Sequence, residues 1–311
     1  MLLTVGTEGN IVDCRIEQTL GEKQMDKMVE IKWHDENAQK MTVHDKNGVV
    51  YLTYPALDSQ QGIIHGFSTR LGGVSQGIYS SMNLSFTRGD EEKAVRENYD
   101  RLAVAIGFCA EDIVTSDQTH TANVRKVTAE DRGKGITRPR DYTDVDGMIT
   151  DVPGLILATF YADCVPLYFV DPKRRVVGLS HSGWRGTVQK IGSVTVRKMT
   201  EEYGCDPRDI LAAVGPSICQ ECYEVSEDVI DRVKDAFDKK YWDRLFYGKT
   251  DGKYQLNLWE ANRIVFLESG IQLEHISMPD LCTCCNPELL FSHRASHGKR
   301  GNLGAFLGLK K

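Results

Sequence analysis

Three segments in the middle of the chain each place a potential metal ligand at the end of a predicted strand. They are Ser116-Asp117-Gln118-Thr119-His120, Tyr161-Ala162-Asp163-Cys164-Val165-Pro166 and Ser180-His181-Ser182-Gly183-Trp184-Arg185-Gly186. Because strand ends at one edge of a sheet can converge on a common pocket, His120, Cys164 and His181 form a candidate set of two imidazoles and one thiolate. Zinc binds such ligands tetrahedrally, and three protein ligands leave its fourth position open to water or substrate.

The same residues also allow chemistry without a metal. Cys164 could be a nucleophile with His181 as its base, as in cysteine hydrolases. Asp163, Asp144 and Asp146 are candidate acids or partners that orient a ligating histidine. The spacing alone does not exclude the plainest interpretation, in which Cys164 is a buried small side chain and the histidines are ordinary core or surface residues.

Two arginines are candidates for binding an anion. Arg70 precedes the Gly72-Gly73 turn, and Arg185 opens a predicted helix after Trp184. A guanidinium beside exposed backbone N–H groups suits phosphate or carboxylate. The alternative is that both arginines are solvated or form surface ion pairs.

Other cysteines lie in two groups. Cys282-Thr283-Cys284-Cys285 is followed by His293 and His297, which suggests a zinc ribbon. We read its spacing as lacking the paired Cys-x2-Cys halves of such sites, and therefore expect no second metal site there. Cys219 and Cys222 form a Cys-x2-Cys pair without an obvious partner pair, so we expect a plain structural role.

Short strands dominate the middle of the chain, and helices lie among them. Hydrophobic periodicity and turn residues predict strands at 49–53, 63–67, 113–116, 123–127, 148–150, 155–161, 166–170 and 175–181, and helices at 91–106, 186–203, 226–237 and 258–268. The elements do not alternate strictly as βαβ units, which favours an α+β fold with mixed sheets flanked by helices. Residues 1–45 are polar and weakly patterned, so we expect a weakly ordered extension before a single catalytic domain at 46–311.

The composition excludes several classes of protein. The 311 residues include 38 Lys and Arg against 44 Asp and Glu, a net charge of −6, which argues against binding nucleic acid. Apolar runs are too short for a membrane span, and the amino end does not resemble a signal peptide. The 9 cysteines are therefore expected to be thiols in a reducing cytoplasm.

Taken together, several motifs resemble one known family, the YfiH/YlmD or laccase-domain proteins, from about residue 62 to the carboxyl end. The segments that carry the resemblance are Phe67-Ser68-Thr69-Arg70-x-Gly72-Gly73-Val74-Ser75, Asn83-Leu84, Gln118-x-His120, Asp146-Gly147-Met148-Ile149-Thr150-Asp151, Ala162-Asp163-Cys164-x-Pro166, His181-Ser182-Gly183-Trp184-Arg185-Gly186, Gly215-Pro216-Ser217-Ile218 and Phe291-Ser292-His293-Arg294. The sequence departs from the family at Arg300-Gly301-Asn302, where a Gly-Arg pair is common.

The resemblance implies a layered α/β/β/α sandwich, shared with cysteine-hydrolase-like toxins, and a zinc ion on His120, Cys164 and His181. The implied activity is phosphorolysis of adenosine, inosine and methylthioadenosine, with adenosine deamination at the same site. The expected partners are thus purine nucleosides and inorganic phosphate. Catalytic roles would fall to Cys164, His181 and Asp163, and substrate contacts to Arg70, Arg185, Asn83 and Asp146.

The laccase name itself fits the sequence poorly. Multicopper oxidases use His-x-His pairs, and the 8 histidines of this chain contain none. Copper outranks zinc in intrinsic affinity, so the site could accept copper in vitro and oxidise polyphenols weakly. Three further hypotheses thus stay open beside the zinc nucleoside enzyme: a cysteine hydrolase or amidase, a copper-dependent polyphenol oxidase, and a non-enzymatic partner protein that keeps the pocket as a scaffold.

Overall fold

The structure, a computed structural model, describes residues 30–34 and 41–311. Its strands are β1 (Thr42–Lys46), β2 (Val49–Thr53), β3 (Ile63–Ser68), β4 (Ile113–Thr115), β5 (Val124–Lys126), β6 (Gly147–Thr150), β7 (Ile156–Tyr161), β8 (Val165–Asp171), β9 (Val176–Ser182), β10 (Leu211–Val214), β11 (Glu224–Val225), β12 (Phe246–Gly248), β13 (Tyr254–Leu256), β14 (Ile276–Ser277) and β15 (Leu303–Leu309). Its helices are α1 (Pro55–Asp58), α2 (Glu92–Ile106), α3 (Trp184–Val188), α4 (Ile191–Tyr203), α5 (Glu227–Ala236), α6 (Trp242–Leu245) and α7 (Leu258–Glu268).

Two six-stranded mixed sheets form the centre of the fold. One has the order β1-β2-β3-β15-β7-β4 and the other β14-β10-β8-β9-β6-β5, while β11, β13 and β12 make a small antiparallel sheet. Side chains point alternately to the two faces of a sheet, so a central strand contributes side chains to two apolar layers. In β8, Tyr168 and Val170 pack between the large sheets, whereas Leu167 and Phe169 pack on the opposite face.

Helices cover the outer faces of both large sheets. Helix α2 packs its Val95 and Leu102 against Phe306 of β15. On the second sheet, α4 and α7 bury residues such as Met199 and Phe266. The layers are therefore helix, sheet, sheet and helix, which confirms the α+β sandwich expected from the sequence. Within residues 30–34 and 41–311, no helix combines the length and apolar character needed to cross a membrane.

Three local expectations are corrected. The helix predicted at 186–203 is two helices, α3 and α4, because Lys190 between them has a left-handed backbone with φ 56°. Strand β15 was not predicted, although it lies between β3 and β7 and is buried along its length. Part of the expected extension is ordered, since β1 pairs with β2 and Trp33 forms a bridge to Leu281. The rest of that extension, residues 1–29 and 35–40, lies outside the described residues.

Candidate active site

His120, Cys164 and His181 converge where three elements meet. His120 lies in the loop after β4, Cys164 immediately precedes β8, and His181 lies near the end of β9. The antiparallel register pairs Pro166 with His181 and so brings Cys164 to the histidine. One ligand atom from each of the three residues lies within 4.8 Å of the others, and the two imidazole rings are 4.9 Å apart at 83°.

The close packing of these side chains requires glycine at position 183. A Cβ atom there would lie 3.0 Å from His120 Cδ2 and 3.2 Å from Cys164 Sγ. Both distances are shorter than ordinary van der Waals contact between such atoms. Gly183 therefore leaves the space in which the imidazole and the thiol approach each other.

Asp146 accepts hydrogen bonds that fix the positions of His181 and of the loop that carries His120. Its Oδ1 lies 2.8 Å from His181 Nδ1 and accepts a 3.1 Å hydrogen bond from the His120 N–H, while Oδ2 accepts the N–H groups of Thr119 and Thr121 at 2.9 and 3.0 Å. Burial would raise the pKa of Asp146, but the hydrogen bonds from His181 and these backbone groups lower it to about 2. Asp146 is therefore a carboxylate that orients both histidines.

Cys164 is poised as a thiolate. Burial by itself raises the pKa of Cys164, but the charge of His181 and a hydrogen bond from His120 lower it to about 6. Burial likewise lowers the pKa of His181, yet the neighbouring Cys164 and the hydrogen bond to Asp146 raise it to about 9. A thiolate is the form that both a metal ion and an electrophile require.

These three residues fit a metal ion. The bond between His181 Nδ1 and Asp146 leaves Nε2 as the ligand nitrogen, which is the usual carboxylate–histidine arrangement at zinc sites. Two imidazoles and one thiolate match the ligand preferences of zinc, and a set of three leaves a coordination position open. The donor set also suits copper, so its chemistry does not by itself choose between the two metals.

The three residues open into a large cavity of about 820 Å³, a volume suited to a small organic ligand. The cavity has aromatic and cationic walls. Its lining includes Phe86, Arg88, Gln118, Arg138, Arg140, Tyr142, Phe160, Tyr161, Arg300 and Asn302. The site therefore combines three candidate metal ligands with a chamber in which five arginines outnumber the two acids, Glu92 and Asp117.

Among these cations, Arg300 is the most deeply buried, with 8% of its surface exposed. Its Nη1 donates to the Gly301 carbonyl and to the Asn302 side chain, but its Nε is buried and has no hydrogen-bond partner among the described residues. Burial, and then the charge of Arg88, lower the pKa of Arg300 to about 10, so the guanidinium stays charged at neutral pH. Arg300 therefore brings to the cavity wall a positive charge that is close enough to Arg88 for the two charges to interact.

The other cavity arginines are bound to the protein. Arg140 donates to the Ser116 carbonyl at 3.0 Å and pairs with Asp117 at 2.8 Å. Arg138 donates to the backbone carbonyls of Arg132 and Glu130. These two side chains form part of the cavity wall, and they have fewer hydrogen-bond donors left for a ligand than Arg88 and Arg300.

The structure places Arg70 and Arg185 away from the cavity. Arg70 donates to the Ser80 and Pro287 carbonyls and lies 4.7 Å from the Phe291 ring. Arg185 is exposed and stacks on Trp184. Neither residue lines the cavity, so the geometry does not support the expectation that they contact phosphate.

Asn83 and Asp163 are also occupied by structural hydrogen bonds. The Asn83 amide donates to the Asp90 carboxylate and accepts from the Asn302 N–H, beside the cavity rather than in its lining. Asp163 accepts from Thr283 Oγ1 and from the Arg294 N–H, both at 2.7 Å. Asp163 is therefore not placed to act on a substrate, and it positions Cys164 next to it in the chain.

The expectation that Cys219 and Cys222 lack a partner pair is wrong. Cys219, Cys222, Cys282 and Cys285 each place their sulfur within 4.8 Å of the other three. Cys282 and Cys285 are themselves a Cys-x2-Cys pair, and this pairing was missed because Cys284 interrupts it.

Arg88, Arg300 and Asn302 were also missed by sequence reasoning. Arg88 lies on a loop more than two hundred residues before the one that carries Arg300 and Asn302, and each is an ordinary surface residue type. The departure from the family pattern at Arg300-Gly301-Asn302 drew attention to this segment, but it did not indicate that the segment lines the cavity.

Comparison with known proteins identifies the family of this chain. A family described as multi-copper polyphenol oxidoreductase laccase matches residues 64–310. Purine nucleoside phosphorylase YlmD of Bacillus subtilis is 40% identical over 253 residues, covering 80% of this chain and 89% of that protein. A protein named adenosine deaminase RL5, from an unknown prokaryotic organism, is 33% identical over 236 residues, covering 74% and 88%.

Solved structures from this family resemble the chain as well. YlmD from Geobacillus stearothermophilus superposes with a TM-score of 0.81 at 35% identity, covering 88% of this chain and 100% of that one. Bacillus licheniformis YfiH superposes with a TM-score of 0.80 at 36% identity, covering 86% and 99%. The chain thus belongs to the laccase-like YfiH/YlmD family of enzymes.

Proposed function

We propose that this protein is a zinc-dependent purine nucleoside phosphorylase that acts on adenosine, inosine and methylthioadenosine and also deaminates adenosine. One observation carries the proposal: the His120, Cys164 and His181 set opens into the same cavity as the incompletely paired guanidinium of Arg300. The names of the relatives, purine nucleoside phosphorylase and adenosine deaminase, agree with it.

Arg300 and Arg88 are the residues that would hold inorganic phosphate. A dianion would balance their two charges through hydrogen bonds to the guanidinium groups. Fixing phosphate against the ribose converts an encounter in solution into a reaction within one complex. The assignment replaces Arg70, whose donors are used by backbone carbonyls.

In phosphorolysis a phosphate oxygen forms a bond to ribose C1′ while the bond from C1′ to purine N9 breaks. The base leaves with that electron pair and takes up a proton, and the sugar leaves as ribose 1-phosphate. The arginines orient the attacking phosphate. Asp146 fixes the His181 imidazole through one hydrogen bond, and it fixes the loop that carries His120 through three bonds from backbone N–H groups. A bound zinc ion would supply a Lewis acid at the open position of the His120, Cys164 and His181 set.

A cysteine hydrolase is the second candidate, and a specific observation favours it. Cys164, His181 and Asp146 are linked as thiolate, imidazolium and carboxylate, which is the order of a nucleophile, its base and the group that orients the base. The two functions differ in their dependence on metal. A metal-bound Cys164 is not free to attack, whereas a nucleophilic Cys164 needs no metal.

Metal removal and return separates these candidates. We expect adenosine turnover in phosphate buffer to be lost after chelation and to return with zinc, and His120→Ala to be inactive in both states. A control is His44→Ala, which removes a β1 histidine that does not line the cavity. Full turnover by metal-free protein would favour the hydrolase. Fast phenol oxidation by copper-loaded protein without release of base would favour the oxidase.

The phosphate assignment is tested by Arg300→Gln. Removing a hydrogen bond to a charged group costs about 1.5–3 kcal/mol, so the KM for phosphate should rise by roughly ten- to a hundredfold. The KM for adenosine should change far less. Arg101→Gln on the exposed face of α2, where Arg101 pairs with Glu97, is the matched control and should leave both constants unchanged. An unchanged phosphate KM in Arg300→Gln would overturn the assignment.

A further inference from the structure

Four cysteines from two loops meet at one point away from the proposed catalytic site. Cys219 and Cys222 lie after β10, and Cys282 and Cys285 lie after β14. All four sulfurs lie within 4.8 Å of one another, and Cys219 and Cys282 are almost fully buried. We call this group the four-cysteine cluster.

The distances between the sulfurs match shared coordination of one ion. Cys222 Sγ lies 3.5 Å from Cys285 Sγ, and Cys219 Sγ lies 4.0 Å from the same atom. Zinc bound tetrahedrally by sulfur at about 2.3 Å separates its ligands by roughly 3.8 Å. A disulfide would require about 2.05 Å.

Backbone groups also point at the cluster. The N–H groups of Cys219 and Cys285 donate to Cys282 Sγ at 3.2 and 3.4 Å. Such N–H donors stabilise negative charge on sulfur and fix the direction of the side chain. Two Cys-x2-Cys pairs with these internal bonds are the arrangement of closed structural zinc sites.

We propose that Cys219, Cys222, Cys282 and Cys285 bind a structural zinc ion. This site is closed, with four protein ligands and no position for substrate, and so differs from the His120, Cys164 and His181 set. It does not depend on the nucleoside activity proposed above.

The four-cysteine cluster stabilises the turn that carries Cys164. Thr283, between two of the ligands, donates its hydroxyl to Asp163 Oδ1 at 2.7 Å and its N–H to the Ser217 carbonyl at 3.1 Å. Ile218, next to the other ligand pair, donates its N–H to the Asp163 carbonyl at 3.0 Å. Because Asp163 has a left-handed backbone with φ 87° and precedes Cys164, a zinc ion joining the two loops fixes the position of the active-site thiol.

The same ion would anchor the ordered piece of the N-terminal segment. Trp33 bridges Leu281, and the His34 N–H donates to the Asp280 carbonyl at 3.0 Å. Asn286 accepts the Lys32 N–H at 2.7 Å and donates to the Lys32 carbonyl at 3.0 Å. Residues 30–34 therefore pack along the loop that supplies Cys282 and Cys285.

Zinc content and X-ray absorption of the purified full chain test the proposal. In His181→Ala, which removes one ligand of the other set, we expect one zinc per chain with four sulfur neighbours at about 2.3 Å. If His120, Cys164 and His181 also bind zinc, the wild-type protein should hold two zinc ions per chain. If they do not, it should hold only the ion of the four-cysteine cluster. The two proposals can therefore fail separately. His181→Ala without zinc, or with nitrogen or oxygen in the zinc shell, would overturn the four-cysteine site.

Variants add a matched comparison. Cys285→Ser should lose this zinc and melt at a lower temperature, whereas Cys284→Ser, the adjacent cysteine outside the cluster, should keep both the zinc and the melting temperature. Retention of zinc by Cys285→Ser, or its loss from Cys284→Ser, contradicts the proposal. If Cys285→Ser does not fold, thiol titration of denatured, metal-free wild type decides: all 9 cysteines should react, and a shortfall of two or four would indicate disulfides instead.

Discussion

Substitution of Asp146 by asparagine should release both histidines of the candidate metal site. Asp146 Oδ1 accepts hydrogen bonds from His181 and the His120 N–H, and Oδ2 accepts them from the N–H and hydroxyl groups of Thr119 and Thr121. An asparagine amide would point its NH2 group at two of these donors. The variant therefore loses two charge-assisted hydrogen bonds, and its NH2 group faces two other hydrogen-bond donors.

The magnitude follows from these contacts. Two lost hydrogen bonds to a charged, fully buried group cost on the order of 3 kcal/mol of folding stability. The pKa of Asp146 gives a similar scale, since a fall from 3.8 to about 2 corresponds to about 2 kcal/mol. Because that pKa is depressed in the folded protein, this stabilisation is present above pH 4 or so and is lost as the pH falls toward 2. Loss of a carboxylate that orients a ligand weakens metal binding by about ten- to a hundredfold.

The assay is competition for zinc against a chromophoric chelator, combined with thermal unfolding. Asp144→Asn is the matched control, because Asp144 accepts hydrogen bonds from Thr119, Thr121 and Asn123 but has none with His181. We expect Asp146→Asn to lose zinc affinity and Asp144→Asn to keep it. Equal zinc affinity in Asp146→Asn and wild type, or equal losses in both variants, would refute the reasoning.

Two further predictions concern packing. Gly183→Ala should weaken zinc binding and slow turnover while the fold persists, because the new Cβ would lie 3.0 Å from His120 Cδ2 and 3.2 Å from Cys164 Sγ. Zinc titration measures the affinity, and circular dichroism checks that the fold persists. A zinc affinity equal to that of the wild type would contradict the prediction. Leu307→Ala in β15 should cost about 2–5 kcal/mol, since Leu307 is fully buried between the sheets. Urea unfolding measures that loss, and the exposed Leu273→Ala should change stability little.

The sequence predicted that His120, Cys164 and His181 would lie together because each of them sits in a short motif at a strand end. Such motifs are local, and the β8–β9 hairpin that aligns Cys164 with His181 is itself predictable from the turn at 171–174. The layered fold followed from the resemblance, and strands such as β7, β8 and β9 followed from short apolar runs with clear boundaries.

Long-range contacts explain what could not be predicted. Strand β15 is interrupted by Gly304 and Gly308, and it becomes central only by pairing with β3 and β7 from distant parts of the chain. Arg300 was not predicted as a cavity residue, because its place in the lining depends on how the loop at 300–302 packs against distant parts of the chain. Arg70, by contrast, lies beside a Gly-rich turn that looks like a phosphate loop, yet its donors are used by carbonyls that the fold brings to it.

The central claim is that the His120, Cys164 and His181 site performs phosphorolysis of a purine nucleoside. Product analysis of zinc-loaded protein with adenosine, with and without inorganic phosphate, tests it most directly. We predict adenine and ribose 1-phosphate in equal amounts, formed only when phosphate is present, with any inosine formed independently of phosphate. Absence of adenine in phosphate buffer, or adenine release at the same rate without phosphate, would contradict the account.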